Sequence, residues 1–333
     1  MPTLSLAEAH GLVAAAMARN GANEINAASV ARALVGAEAD GLKGHGLSRV
    51  PTYAAQLRAK KIDGHAVPVA TRPKPGVVAI DAAFGFAYPA LDAAVEALPA
   101  VAREQGLAAA SIRRSHHCGA AGQPVEALSE AGLVSLLFAN APAAMAPWGG
   151  KLPALGTNPI AFACPLPGRP PIVVDLSLSK VARGNVLSAK QRGEPIPDDW
   201  ALDAEGRPTT DPAAALAGTM APLGGAKGVA LALMVELLAA GLTGSRFATE
   251  ASSFLDDKGD PPGTGQLIVA FDPTAFSAGA PERFAVLAEA IEAQDGARLP
   301  GARRVALRRA AETDGLTVSD GVLADLLEQA KAA

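Results

Sequence analysis

With 333 residues, half of them apolar, the chain can bury a large core, and its ordinary share of charged residues excludes a disordered tail. The 29 Lys and Arg are scattered, and 33 Asp and Glu leave a formal charge of -4, so there is no basic field to grip a phosphate backbone and nucleic acid is excluded as a partner. Two cysteines, Cys118 and Cys164, are too few for a disulfide framework or a four-ligand zinc site, and no cationic start leads into an apolar stretch, which points to a reducing cytoplasm.

Ser5 followed by Glu8 makes a capping box, each side chain satisfying the other residue's free backbone N–H, and Leu6, Val13 and Met17 supply an apolar face. A helix is expected over 6–20. Gly21 offers a left-handed stop, and Ile25, Val30, Leu34 and Val35 mark a second helix over 24–39. The run DGLKGHGLS at 40–48 breaks it, and Tyr53 and Leu57, at helical spacing, place a third helix over 49–60. From Pro73 onward, short apolar runs separated by Gly and Pro alternate with longer helical segments, which signals an α/β fold. Strands are expected over 77–81, 107–113, 133–139, 160–164, 172–176 and 267–271, and helices over 89–105, 125–131, 228–242 and 281–293. The region 190–221, with its Pro, Asp and Thr, reads as an excursion outside the core. The apolar run 229–242 is 14 residues and contains Glu236, against the roughly 20 a bilayer needs, so it reads as a buried helix and no membrane span is expected. Helices near 305–313 and 321–330 share the character of the first 70 residues and are expected to pack back on them. The resulting division is a helical lobe, 1–72 with 281–333, and an α/β domain, 73–280.

The only G-x-G, Gly263-Thr264-Gly265, leads into a strand, whereas a Rossmann fingerprint needs a helix facing the pyrophosphate. A P-loop fails too, because Lys227 in Gly224-Gly225-Ala226-Lys227-Gly228 is followed by Gly, leaving no hydroxyl for magnesium. The same stretch still presents a lysine and free backbone amides at a helix start, which reads either as an anion site or as a flexible turn. Three of the five histidines fall in glycine-rich breaks: His45 in GHGLSR, and His116 with His117 in SHHCGAAG. An imidazole titrating near ~6.5 suits proton transfer at neutral pH, and Arg49, four residues after His45, offers a planar fork for a carboxylate. Acid and clamp together are a minimal kit for a small 2-oxo or 2-hydroxy acid; a surface loop with a structural arginine is the plainer reading. Adjacent histidines with two cysteines make a poor tetrahedral set, so no metal is expected. The loop 115–122 follows a strand, where α/β sheets bind ligands, and Thr157 and Asp175 border strands in the same way, although Asp175 also suits capping of the Ser-rich turn after it.

Taken together, GHGLSR (44–49), SHHCGAAG (115–122), APWGG (146–150), GTNPIAF (156–162), VVDLSLSKVARG (173–184), PLGGAKG (222–228) and MVELLAAGLTG (234–244) strongly resemble the malate/L-lactate/sulfolactate dehydrogenase family. The match runs from the first helix to LPGARR at 299–304. The resemblance implies a non-Rossmann α/β fold, a mixed sheet with helices, in which both chain ends form the helical lobe and 73–280 binds the cofactor. It implies a cytoplasmic homodimer using NAD(P)H, with NADPH favoured, on a small-molecule substrate. By motif position, His45 would transfer the proton and Arg49 would hold the substrate carboxylate. His117, Asp175, Thr157 and Ser48 would surround substrate and nicotinamide. His116, Ala120, Ala121, Ser177, Lys227 and Gly228 would contact the cofactor, with Arg303 or Arg304 near its adenosine end. Many members carry Ser or Thr before the first histidine, and here Gly44 stands there. The doubled histidine is similar to members that reduce cyclic imines, Δ1-piperideine-2-carboxylate and Δ1-pyrroline-2-carboxylate, whereas VVDLSLSKVARG and EASSF at 250–254 look more like the sulfolactate and malate type. The oxo-acid reading is favoured over imine reduction, with an inactive cofactor-binding protein as a third reading.

Overall fold

The computed structural model of the chain describes residues 2–331. After β1 (Thr3–Leu4), α1 (Leu6–Arg19) opens on the expected capping box, with Glu8 N donating to Ser5 Oγ at 3.2 Å and Ser5 N donating to Glu8 Oε2 at 2.8 Å. α2 (Glu24–Ala39) starts at Asn23, whose side chain accepts from Asn26 N. The break that follows consists of two tight 3-10 turns, Lys43–His45 and Leu47–Arg49, which lead directly into α3 (Val50–Arg58). The middle of the chain supplies β2 (Val69–Lys74), β3 (Val77–Asp81), α4 (Ala87–Gln105), β4 (Leu107–Ser115), α5 (Gly122–Glu130), β5 (Val134–Ala139), β6 (Ile160–Leu166) and β7 (Arg169–Leu176). α6 (Arg183–Arg192), β8 (Ala201–Leu202), α7 (Pro212–Ala217) and β9 (Thr219–Met220) precede α8 (Ala226–Glu236). α8 runs on as a π-helical turn, Leu237–Gly241. The chain closes with β10 (Thr264–Phe271), α9 (Pro273–Phe276), α10 (Ala280–Glu292), α11 (Ala302–Asp314), β11 (Leu316–Thr317) and α12 (Asp320–Ala330).

Seven strands form one mixed sheet in the order β2-β3-β4-β10-β5-β6-β7; β3 and β4 are parallel and every other pair is antiparallel. β10 joins two halves built much earlier in the chain: Ile268 lies opposite Ala110 of β4 on one side and Leu137 of β5 on the other. A crossover helix, α4, permits the single parallel pair, since parallel strands need a long connection. α4 and α5 cover one face through Leu98, Val125 and Leu128 against Ile80, Ile112, Leu137 and Ile268. α8 and its π-helical turn cover the other face, with Val235 and Ala239 against Phe138 and Leu267.

A separate core lies where the chain ends meet. Val13 and Met17 of α1, Val30 and Leu34 of α2 and Tyr53 and Leu57 of α3 pack with Ala311, Leu316 and Leu326 from the C-terminal segment. α10 instead lies on β6, where Ala288 meets Leu166 and Leu299. β2 gave no sign in the sequence because every one of its residues is exposed at the sheet edge, so no alternation of apolar and polar residues exists to read. The excursion expected over 190–221 holds more core than its composition implied: Ile196, Ala201, Ala215 and Met220 are all buried against Val186 and Val229. Its apolar residues are too few and too far apart to give a period.

Arg308 of α11 fastens the C-terminal segment to both other parts. Its Nε and Nη2 donate to Asp40 at 2.8 and 3.1 Å, and its Nη1 and Nη2 donate to Glu126 at 3.1 and 2.8 Å. Both carboxylates are buried, so removing the cation strands two negative charges. Arg308→Ala is expected to cost about 3 kcal/mol in urea unfolding, with Arg308→Lys recovering part of it; an unchanged midpoint would contradict this role.

Candidate active site

Glu38, at the end of α2, sets the shape of the first motif. Its Oε2 accepts from Leu47 N at 3.0 Å, and Gly46 must be glycine because a Cβ there would overlap that carboxylate. The turn is then locked from within, with Ser48 Oγ donating to Lys43 O at 2.6 Å and Arg49 Nε donating to Gly44 O at 2.8 Å. The fork of Arg49 therefore lies folded along the loop that carries His45, while the Ser48 hydroxyl is engaged in the turn itself.

The second motif leaves the end of β4 and brings the other two histidines to the same place. The rings of His45 and His117 stack with centroids 5.2 Å apart and planes 12° apart. Phe254 covers His116 at 5.0 Å and His117 at 5.3 Å. Tyr53 Oη lies 2.8 Å from His117 Nδ1 and 3.0 Å from Tyr88 Oη. Gly119, at φ +70°, is needed twice over, for its backbone and because a Cβ would sit 2.7 Å from Tyr88 Oη. His116 is buried, and neither of its ring nitrogens has a protein partner; the same holds for His45 Nδ1.

Burial, and then the Arg49 charge, push His45 down to about 4. Burial, Lys61 and Arg49 push His116 down to about 3, and His117 is lowered well below the usual imidazole range by burial and then by Arg49 and its histidine neighbours. All three rings are neutral at pH 7.

The remaining motifs meet at the N-terminus of α5. Asp175, at the end of β7, accepts from Gly122 N at 2.8 Å and faces Arg304 Nη1 at 3.7 Å. Burial raises its carboxyl, against the lowering effect of the Gly122 N–H and Arg304. Arg304 Nη2 also donates to Val173 O at 3.3 Å. Ala120 and Ala121 are buried just before α5. Beyond Asp175, Ser177 Oγ lies 2.6 Å from Ser179 Oγ, Leu178 N donates to Thr157 O at 2.8 Å, and Leu223 N donates to Leu178 O at 2.8 Å. Thr157, Ser177 and the turn before Lys227 thus share one strip. Lys227 is exposed in the first turn of α8, and Gly228 packs so tightly on Leu223 O that no Cβ would fit. Arg303 is exposed on α11, and no ion pair holds it or Lys227 among the described residues.

Sequence reasoning missed the residues that support the histidines. Tyr53 was read only as the inward face of a helix, yet Tyr53 and Tyr88 are both of the chain's two tyrosines, and their scarcity was the available signal. Lys61 and Gln56 strap the segment bearing Phe254: Lys61 Nζ donates to Lys258 O at 2.5 Å and Asp256 O at 3.1 Å, and Gln56 Nε2 donates to Asp256 O at 2.9 Å. Glu236, buried at the end of α8, accepts from Asn158 Nδ2 at 2.7 Å and Asn140 Nδ2 at 3.1 Å, which fixes the turn after Thr157, where Asn158 takes φ +38°.

The donor set fits a dinucleotide. Unpartnered polar atoms on His116, His45 and Arg304, a helix N-terminus with a free lysine, and glycines at close backbone approaches are what a phosphate-bearing, partly aromatic group needs. Among the described residues no three His, Cys, Asp or Glu converge as a metal-ligand set, and no helix is long and apolar enough to cross a membrane.

Comparison with known proteins gives the family of the chain. Residues 4–327 match the family model described as malate/L-lactate dehydrogenase, and the chain belongs to that family. It is 56% identical over 309 residues to a protein of Chromohalobacter salexigens named (2R)-3-sulfolactate dehydrogenase (NADP(+)), covering 92% of each chain. It is 42% identical to a Δ1-pyrroline-2-carboxylate/Δ1-piperideine-2-carboxylate reductase of Pseudomonas putida, over 96% of this chain and 95% of that one. Among solved structures, a Δ1-piperideine-2-carboxylate reductase from Pseudomonas syringae superposes with TM-score 0.94 at 37% identity, covering 99% of this chain and 100% of that chain.

The neutral histidines have a consequence for stability. The unfolded chain binds protons on these rings near 6.5, but the folded chain does so on His45 only near about 4 and on His116 near about 3. Their contribution to stability is therefore full above pH 6.5 and is lost as the pH falls through about 4 for His45 and about 3 for His116. His116→Gln is expected to flatten this loss in urea unfolding between pH 7 and 4; a slope equal to that of the wild type would contradict the burial of a neutral His116.

Proposed function

We propose that the chain is an NAD(P)H-dependent oxidoreductase that interconverts a small 2-oxo acid and its 2-hydroxy acid, with NADPH as the favoured cofactor and a sulfolactate-type acid as the favoured substrate. The observation that carries this reading is the stacked His45 and His117 pair beside the Arg49 fork, one proton site and one carboxylate clamp in a single cluster. The identity of 56% to a protein named as an NADP(+)-dependent sulfolactate dehydrogenase supports both the substrate class and the cofactor.

Bound nicotinamide would supply the hydride. Lys227 and the free N–H groups at the start of α8 would take phosphate, with Thr157, Ser177 and His116 beside it and Ala120 and Ala121 leaving room where a larger side chain would intrude. Exposed Arg303 would face the adenosine end, where a cation is needed for a 2′-phosphate, while Arg304, 3.7 Å from Asp175, would stay with that carboxylate. Asp175 and His117 would border the reacting carbon. His45 would exchange a proton with the substrate oxygen, and Arg49 would hold the carboxylate through paired hydrogen bonds that fix the carbonyl face.

The reading includes a homodimer in the cytoplasm. In one chain the outer side of α8 and its π-helical extension leaves Leu231, Leu233, Met234, Leu237 and Leu242 exposed, an apolar band that a second copy would cover. Both cysteines are free, in keeping with a reducing compartment.

Reduction of a cyclic imine is the second reading, favoured by the doubled histidine and by the 42% identical reductase. The two separate chemically. A protonated imine already carries its proton, so it needs the Arg49 clamp but not an acid.

Loss of NADPH and NADH absorbance with sulfopyruvate, oxaloacetate, pyruvate and the two cyclic imines decides between them. Turnover of an open-chain acid is expected, and turnover of the imines alone would overturn the oxo-acid reading. With the accepted oxo acid, His45→Asn should lower kcat by on the order of 100-fold or more, and unchanged turnover would remove His45 as the acid. Arg49→Lys should chiefly raise KM, since a point charge replaces a fork.

A further inference from the structure

We propose that Lys61 and Gln56 are positioning residues for the proton site, acting through Phe254 to keep His117 against His45. This role rests on the reading that His45 exchanges a proton with the substrate. α3 ends in a Schellman turn: Lys60 takes φ +57°, Lys60 N donates to Leu57 O at 3.0 Å, and Lys61 N donates to Gln56 O at 2.9 Å. Such a turn brings the residues at its two ends, here Gln56 and Lys61, close together, and an apolar contact between them is common. In this chain both are polar and both are wholly buried. Polar groups buried in that way cost free energy unless they are bonded, and these two are bonded to one partner, the segment 254–258.

Gln56 Nε2 donates to Phe254 O at 3.3 Å and Asp256 O at 2.9 Å. Lys61 Nζ donates to Lys258 O at 2.5 Å, Asp256 O at 3.1 Å and Asp256 Oδ1 at 3.2 Å. Asp256 Oδ1 also accepts from Lys258 N at 2.9 Å, which closes the segment into a turn. An ammonium has three N–H donors, so Lys61 has none left for substrate or cofactor. Its cation is committed to holding the segment.

Within that segment Leu255, Asp256, Asp257 and Lys258 are exposed, and Phe254 alone turns inward. Its ring meets His116 at 5.0 Å and His117 at 5.3 Å, and His117 stacks on His45 at 5.2 Å. His45 Nδ1 has no partner, so the stack, rather than a hydrogen bond at that nitrogen, orients the ring. Arg49 is held differently: its Nε donates to Gly44 O, and the turn that carries it is fixed by Glu38 and Ser48, none of which bonds to 254–258. Loosening the strap therefore moves the proton site and leaves the carboxylate clamp in place. A shift of about 1 Å at a reacting group costs on the order of 100-fold in rate.

The test uses the full-length enzyme with the oxo acid it accepts and with NADPH, unlabelled or deuterated at the transferred position, comparing Lys61→Met, Phe254→Leu, their double variant and Gln56→Met. Lys61→Met and Phe254→Leu are each expected to lower kcat by on the order of 10-fold or more, to raise the deuterium isotope effect, and to leave the substrate KM within about twofold. The double variant should be no slower than the slower single one, because Lys61 acts through Phe254. Gln56→Met keeps the Lys61 bonds and should shift kcat and the isotope effect in the same direction by less, so it decides the matter if Lys61→Met does not fold. Wild-type kinetics in the single variants, losses that multiply in the double variant, or a rate that falls only with the folded fraction at an unchanged isotope effect would overturn the positioning role while the oxidoreductase reading stood. A wild type that turns over no oxo acid would overturn that reading, and this role with it.

Discussion

The Arg49 guanidinium lies beside three imidazoles that burial already holds neutral, so the chemistry of this pocket is constrained before any substrate arrives. A guanidinium in that position attracts a carboxylate and repels an imidazolium. A substrate carboxylate held on the fork, as proposed, would cancel the Arg49 part of the lowering at His45 and leave the larger part, which comes from burial.

The fold supplies this arrangement by bringing together segments far apart in the chain. The turn bearing His45 comes from the N-terminal helices and is shaped by Glu38; the loop bearing His117 leaves β4; Phe254 arrives on a segment strapped by Gln56 and Lys61. β10 holds them in register, since Thr264 Oγ1 and Gln266 Nε2 both donate to His116 O, at 3.3 and 3.2 Å. The strand that closes the sheet is therefore also the strand that fixes the histidine loop. Likewise, the helix that offers Lys227 ends in Glu236, which steadies the Thr157 turn at the opposite end of the same strip.

Much of this was legible in the sequence because glycine and histidine are informative where they cluster. Gly46, Gly119 and Gly228 each sit where a Cβ would collide with a neighbouring carboxylate, hydroxyl or carbonyl, and each lies inside a motif that the sequence singled out. The capped helices and the apolar strands were readable from period and punctuation alone. Two kinds of feature were not. β2 and the segment 190–221 lack a period, the first because it is exposed throughout and the second because its buried residues are spaced irregularly. Tyr53, Tyr88, Lys61 and Phe254 were hidden for a different reason: their roles come from contacts between elements up to about 200 positions apart, as between Gln56 and Asp256, and no local pattern encodes such a meeting.

The neutral histidine cluster is the point on which the account stands, and the ring nitrogens report on it directly. In the free enzyme labelled with nitrogen-15 histidine, two-bond proton–nitrogen spectra from pH 5 to 8, assigned with His117→Asn, read charge and tautomer at each ring. His45, His116 and His117 are expected to remain neutral throughout, with the His117 proton on Nε2 and its Nδ1 accepting from Tyr53. A His117 that titrates near ~6.5, the ordinary imidazole value, or that carries its proton on Nδ1 throughout, would contradict it.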